Sequence, residues 1–337
     1  MEKLILGYVT DGSLSLVTQE DAERLTHINL AFGHVNGKVL DMSGMKHIDE
    51  VKRIRSMNPG LKFVLSVGGW GAGGFSTMAR EAETRMSFAE SCLRAVEMYG
   101  LDGIDIDWEY PCNGSAGIDH DPSDRENYTH LLQALRDALG KDRIVSIAAG
   151  AGHYFVEDTQ MDRVADICSY VQIMTYDIRS GFHDEAGHHT GLFTSSGDRL
   201  NGSVKSSVDD FMAAGVPRHK LVIGAAFYAR HWEGLPDVNH GLFQKAKTIG
   251  MGGPGYTKLV NEYIGKNGFV RYWDDEAKAP YLFNGSCLIS YDDPESIRLK
   301  CRYLKEEDLL GIMYWDHGSD PSRALLGAMW DEIRNGR

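Results

Sequence analysis

Between Leu101 and Pro111 the chain reads LDGIDIDWEYP, which sets carboxylates at every second position, Asp105, Asp107 and Glu109. Alternate side chains of a β-strand share a face, so these three must converge. Same-face neighbours lie about 6.5 to 7 Å apart along a strand, close enough for the charges to repel and for at least one proton to be retained among them. An acid kept protonated near neutral pH is what proton donation to a substrate requires. The opposite face carries Ile104, Ile106 and Trp108 and suits packing against a helix layer. A strand buried in that way makes unpaired carboxylates costly, so they are expected to form a site.

The surrounding elements must hold this strand in place. Short β-branched or apolar runs recur at Leu4–Val9, His27–Phe32, Phe63–Val67, Gly103–Glu109, Ile144–Ala149, Tyr170–Tyr176, Leu221–Phe227 and Gly311–Trp315, separated by helical segments. Eight strands alternating with helices predict an α/β fold, a TIM (β/α)8 barrel. Ser123 and Glu126 form a capping-box pattern ahead of Leu131, Leu132, Leu135 and Leu139, with Gly140 as the stop, and the periodic pattern of residues 86 to 99 ends at Gly100. Barrel chemistry sits at the C-terminal ends of the strands. Trp70, Glu109, Tyr176, Asp177, Tyr228 and Trp315 all fall at or just after those predicted ends, so the topology itself gathers them.

The stretch between the last two strands is too long for one connection. It contains glycine-rich turns at Gly250 to Gly255, a helical segment near Leu259 to Ile264 and strand-like pieces at Phe269–Trp273 and Tyr281–Phe283. These predict a small α+β insertion over residues 229–290, with residues 1–228 and 291–337 forming the barrel. Asp293 caps the returning helix and Pro294 occupies its first position.

Composition narrows the partners. A chain of 337 residues, 42% hydrophobic and 25% charged, is an ordinary globular protein long enough for one large barrel with an elaboration. A formal charge of −13 argues against nucleic acid and anionic membrane as partners and suits a neutral substrate. The first residues enter a strand without a basic and apolar leader, and no run approaches the roughly 18 to 20 apolar residues that span a bilayer. The expected location is therefore cytoplasmic, or secreted if a leader once preceded the sequence. Five cysteines without a close C-x-x-C pair indicate neither a disulfide framework nor a zinc motif. Cys92 and Cys301 fall on helical core positions, while Cys112 follows Tyr110 by two and is expected near the site. Four Asn-x-Ser/Thr matches, at Asn113, Asn127, Asn201 and Asn284, are read as chance. The chain is expected to act as a monomer without cofactor or metal.

The run from Asp102 to Glu109 resembles the DGxDxDxE signature of glycoside hydrolase family 18, the chitinases and their relatives. Segments similar to others of that family follow in its order: Ser66–Trp70, Met174–Asp177, Gly224–Tyr228 and Gly311–Trp315. The resemblance covers nearly the whole chain, and the insertion resembles the one that members with deep, walled clefts carry. It implies hydrolysis of β-1,4-linked N-acetylglucosamine polymers or oligomers, with chitin or chitooligosaccharides as partners. Glu109 is then the general acid and later the base. Asp107 would orient the acetamido N–H so that the substrate's own carbonyl oxygen attacks, with Asp105 behind it sharing charge and proton. This substrate-assisted route departs from the scheme in which two enzyme carboxylates serve as acid and nucleophile. Tyr176 would donate to the acetamido oxygen, Asp177 would bond the same sugar, and Trp315 would floor it. Motif position adds Tyr8, Phe32, Trp70, Tyr110, Met174, Tyr228 and Arg230 to the cleft, and makes Ser66 and Gly68 structural neighbours of the acid strand. The cluster His183, Asp184, Glu185, His188 and His189 matches no zinc spacing and is read as a substrate-contacting loop. Two other readings stay open: a lectin-like sugar binder, which the retained Glu109, Asp107 and Tyr176 disfavour, and an endo-β-N-acetylglucosaminidase, which the insertion disfavours.

Overall fold

The apolar face of the acid strand finds its helix layer in the computed structural model, which describes residues 2–336. Ile104, Ile106 and Trp108 have no exposed surface, and the Trp108 ring stacks on Phe75 with centroids 5.2 Å apart. Eight parallel strands close a barrel: Leu4–Thr10, His27–Asn36, Lys62–Gly68, Gly103–Asp107, Ile144–Gly150, Tyr170–Met174, Leu221–Ala226 and Gly311–Trp315. The first strand pairs with both the last and the second, Leu4 opposite Gly311 and Leu6 opposite His27, and this double pairing closes the ring. Helices cover its outside, among them Ala82–Tyr99, Asp124–Leu139, Val204–Ala213 and Pro294–Glu306. Among the described residues no helix is long and apolar enough to cross a membrane.

The eight predicted strands agree with the observed ones to within two residues at each end, except that the second, expected to stop at Phe32, runs on to Asn36. The acid strand is one case: regular pairing stops at Asp107, and Glu109 stands on the turn that follows. Cap readings divide. Gly100 ends its helix in the left-handed conformation at φ 63°, and the Asp293 carboxylate accepts from the backbone N–H groups of Glu295 and Ser296 at 2.9 and 3.0 Å. The capping box expected at Ser123 does not form. Ser123 is already helical in backbone, and its hydroxyl donates instead to Asp121 at 2.7 Å.

After the seventh barrel strand the chain builds a second, antiparallel sheet of five strands: Tyr228–Glu233, Met251–Gly255, Val270–Asp274, Ala279–Phe283 and Cys287–Ser290. Its helix is Tyr256–Glu262. The glycine-rich segment read as turns is the strand Met251–Gly255, which pairs along Tyr228–Glu233. Close backbone packing accounts for Gly253 and Gly255, where a Cβ would fall 2.7 Å from the Ala229 carbonyl oxygen and 2.8 Å from that of Ser319. Apolar side chains of this sheet make their own small core around Trp232, Tyr281, Phe283 and Leu288.

Candidate active site

At the C-terminal mouth of the barrel lies a cavity of about 1190 Å³. Its lining includes Tyr8, Phe32, Trp70, Asp107, Glu109, Tyr110, Met174, Tyr176, Asp177, Tyr228, Arg230 and Trp315, all the residues expected to act on or hold the sugar except Asp105 and most of the 183–189 loop. Strand ends deliver them. Asp107 closes the fourth barrel strand, Met174 the sixth and Trp315 the eighth, while Tyr228 and Arg230 stand on the first strand of the second sheet.

Asp105 lies one layer below the cavity with no exposed surface. Four donors surround its carboxylate: the Tyr8 and Ser66 hydroxyls reach Oδ2 at 2.9 and 2.8 Å, and Ser146 Oγ and Gln172 Nε2 reach Oδ1 at 2.8 and 3.0 Å. Burial pushes the pKa of Asp105 up, and these four bonds pull against it. Asn29 in turn donates to Gln172 at 2.7 Å and fixes that amide.

Asp107 has no such company. It is 4% exposed, and its Oδ1 is buried without a hydrogen-bond partner among the described residues. Burial first, and then the charges of Glu109 and Asp105, hold its pKa well above the ordinary carboxylate range. No direct hydrogen bond joins Asp105 to Asp107 among the described residues, so any sharing between them runs through the electric field. The neighbouring strand comes close because of Gly68, at φ 125°. A Cβ there would sit 2.0 Å from the Asp107 carbonyl oxygen.

Glu109 is half-buried beside the cavity. Burial raises its pKa to about 7; the Asp177 charge adds to this, and a hydrogen bond from Tyr110 opposes it. The group therefore holds a proton near neutrality. The Tyr176 hydroxyl, whose contact among the described residues is the Met313 sulfur at 3.7 Å, is kept protonated by burial and by the charges of Asp107 and Glu109. It remains a donor available to a ligand.

Asp177 behaves in the opposite sense. Burial works against its charge, but His189 and Arg230 outweigh it and hold the carboxyl well below its usual range. Arg230 grips it with both prongs, Nε to Oδ1 and Nη2 to Oδ2, each at 2.6 Å. The cavity's apolar surface is aromatic. Trp315 stacks on Phe32 at 5.4 Å between centroids and 19° between planes, with Tyr8 tilted against it at 5.8 Å. Across the mouth Trp70 meets Tyr110 at 6.3 Å and Phe182 at 6.1 Å.

Cys112, expected near the site, does not line the cavity; its sulfur faces the carbonyls of Pro122 and Asp158 at 3.6 and 3.7 Å. Its position two residues beyond Tyr110 falls past a turn, with φ 61°, that redirects the chain. The five-residue histidine and acid cluster disperses. Asp184 pairs with Lys245, Glu185 with Arg179, His188 with Asp274 and His189 with Asp177, while His183 reaches the cavity wall. Among the described residues no group of three or more His, Cys, Asp or Glu side chains is placed to hold a metal ion. Sequence reasoning missed Phe182, Tyr154 and Asn113 in the lining. All three stand outside the barrel strands, where no periodicity marks the inward face; only an aromatic soon after a strand end would have hinted at Phe182.

A barrel whose mouth holds one near-neutral acid, one buried carboxyl with a bare acceptor and an aromatic floor is the architecture of a glycoside hydrolase. The model of glycosyl hydrolases family 18 matches residues 5–320, and the chain belongs to that family. It is 34% identical over 324 residues to chitinase A1 of Niallia circulans, an alignment covering 89% of this chain and 46% of that protein. The chain thus spans about half the length of this curated relative. Among solved structures it is similar to a family 18 N-acetylglucosaminidase from Paenibacillus barengoltzii, with 47% identity and a TM-score of 0.97, covering 98% of this chain and all of that one. It is also similar to the Ostrinia furnacalis group IV chitinase in complex with allosamidin, with 26% identity, a TM-score of 0.86 and 98% of both chains covered.

Proposed function

We propose that the chain is a chitinase, hydrolysing β-1,4-linked N-acetylglucosamine polymers or oligomers with retention of configuration. The observation that carries this is the pairing of Glu109, protonated up to about pH 7, with Asp107, whose buried Oδ1 lacks a partner among the described residues. Glu109 gives its proton to the glycosidic oxygen as the C1–O bond breaks. The substrate's acetamido oxygen attacks C1 and forms an oxazolinium ion. Asp107 accepts the acetamido N–H and Tyr176 donates to the acetamido oxygen, so both contacts strengthen as charge develops. Glu109, now a carboxylate, takes a proton from water, whose oxygen reopens the ring to the β-anomer. Trp315 provides the apolar floor, Asp177 and Arg230 address the polar edge of the sugar, and Trp70, Tyr110, Tyr228, Met174, Tyr8 and Phe32 complete the walls.

In this reading residues 1–228 and 291–337 form the catalytic barrel and residues 229–290 an insertion that walls the cleft. Support comes from Arg230, which stands on the second sheet and lines the cavity. Time-resolved NMR of the anomer released from N-acetylglucosamine oligomers tests the mechanism. The expected first product is β; an initial α product means inversion and removes the substrate-assisted route.

A second reading, release of single N-acetylglucosamine units from chain ends, is favoured by the similarity to the Paenibacillus barengoltzii enzyme over that whole chain. Product analysis on an oligomer ladder separates the two. From the longest oligomers, early products limited to monomer and the oligomer shortened by one unit support the second reading, and dimers or trimers released before the intermediate lengths appear support the first.

A further inference from the structure

Behind Asp177 the chain places a histidine that the proposed reaction does not touch. His189 has no exposed surface, and its Nδ1 lies 3.5 Å from two atoms of Asp177, the carboxylate Oδ1 and the backbone N. Backbone contacts bind the two segments further. The His189 carbonyl accepts from the Ile178 N–H at 3.1 Å, and its own N–H donates to Ser290 Oγ at 2.9 Å, at the end of the last strand of the second sheet. The imidazole packs on the Tyr228 ring at 5.3 Å, and its Nε2 is buried with no partner among the described residues. Asp177 itself has a left-handed backbone, φ 55°, which a residue with a Cβ adopts only when its surroundings hold it there.

We infer that His189 is a positioning residue: it braces the left-handed turn and carboxylate of Asp177 from the side away from the cavity, while Arg230 grips the same carboxylate from the other. The inference rests on the proposed glycosidase reading, because its effect on turnover passes through Asp177 to Glu109.

The tautomer follows from the neighbours. A bare Nδ1 lone pair would face the Asp177 oxygen and repel it, and the proton would then sit on Nε2 with no acceptor. The Asp177 backbone N–H makes the opposite claim on Nδ1, but at the same distance a charged carboxylate outweighs one amide dipole. Placing the proton on Nδ1 aims a donor at the carboxylate and leaves only a weak acceptor buried. Burial, with Arg230 nearby, keeps the ring from taking a second proton, although Asp177 and Asp292 pull the other way. His189 is thus a neutral donor. The groups facing Asp177 are His189, Arg230, Tyr228, Tyr176, Glu109 and Tyr154. Of these, His189 and Arg230 hold its pKa down most, and the Tyr228 hydroxyl also hydrogen-bonds to Asp177.

The test uses His189→Ala and His189→Asn in the full chain. Without the donor, Asp177 keeps its proton to higher pH and its turn loosens. His189→Ala is expected to lose about tenfold in kcat with KM changed less than about threefold, and to move the acidic limb of the pH profile upward. His189→Asn, which returns an amide donor near Nδ1, is expected to restore kcat to within about threefold and the limb to its original place. A purely structural role would lower the melting temperature of both variants and leave the profile of the remaining activity in place, which overturns the inference; so does an alanine variant with unchanged kcat and profile. Nitrogen-15 shifts of the imidazole, assigned by difference with His189→Asn, are read without any substrate. The Nδ1–H neutral form near pH 7 is expected, and an Nε2–H tautomer or an imidazolium overturns the inference whatever the enzyme's substrate proves to be. If the wild type releases nothing from N-acetylglucosamine oligomers while the Nδ1–H form is observed, the substrate reading fails and the bracing of Asp177 stands.

Discussion

Two carboxylates two residues apart on one strand live in opposite surroundings. Asp105 accepts four hydrogen bonds, and Asp107, one layer nearer the cavity, leaves Oδ1 bare. Both are buried, so burial alone does not separate them. Partners do: a ring of hydroxyl and amide donors satisfies the Asp105 carboxylate and fixes it in place, while Asp107 remains an acceptor in search of a donor. Asp177 extends the contrast, being held ionised by Arg230 and His189 in the same cavity where Glu109 is held protonated. Carboxylates of nearly identical intrinsic acidity are thus sorted into different states by their partners.

The sharpest way to break this comparison is Glu109→Gln. Removing the proposed general acid is expected to lower kcat by at least about a hundredfold while oligomer binding survives. In the proposed mechanism Glu109 works only while protonated. Since its pKa is about 7, kcat/KM is expected to hold below that value and to fall as pH rises through it. A profile that stays flat well into the alkaline range would contradict the assignment.

Asp107→Asn comes next, with a loss of about a hundredfold in kcat, because an amide, unlike the carboxyl, cannot give up a proton and take on charge as the acetamido group becomes cationic. Its stability should move in the opposite direction. A carboxyl whose folded pKa is raised contributes stability below its unfolded pKa of about 3.9, and that contribution is lost as pH rises towards the folded value. Melting curves at about pH 4 and about pH 8 should therefore show the variant gaining on the wild type at the higher pH. Equal shifts at both would mean that Asp107 is not the strained group described above.

Tyr8→Phe is the mildest. Asp105 keeps three of its four donors, so a loss of about 1 kcal/mol in stability and less than about threefold in kcat is expected. A collapse of activity would show that Asp105 depends on that one hydroxyl, and the ring of donors would lose its meaning as a redundant support.

The sequence carried much of this, for reasons that differ by residue. Period two placed Asp105, Asp107 and Glu109 on one side, and the apolar alternation Ile104, Ile106, Trp108 fixed which side meets the helices. The barrel was legible because each strand is a continuous apolar run bounded by helical punctuation. Phe182 and the pairing of His189 with Asp177 were not, since both depend on the path of an irregular loop. That path is set by a buried Arg179 held between Glu185 and Asp198, contacts that no local pattern announces. The strand Met251–Gly255 was hidden by its composition, because among glycines that look like turns stands Gly253, where the backbone passes too close to Ala229 for a Cβ.

Arg230 stands on the second sheet while the carboxylate it grips belongs to the barrel, 53 positions earlier in the chain. The site is therefore stitched across a seam, and the second sheet is no interchangeable ornament. An engineer replacing it with a foreign insertion, or evolution trimming it, must carry an arginine over at this place or surrender the ionised Asp177 with it. Inheritance of the fold and inheritance of the working site are coupled at one side chain.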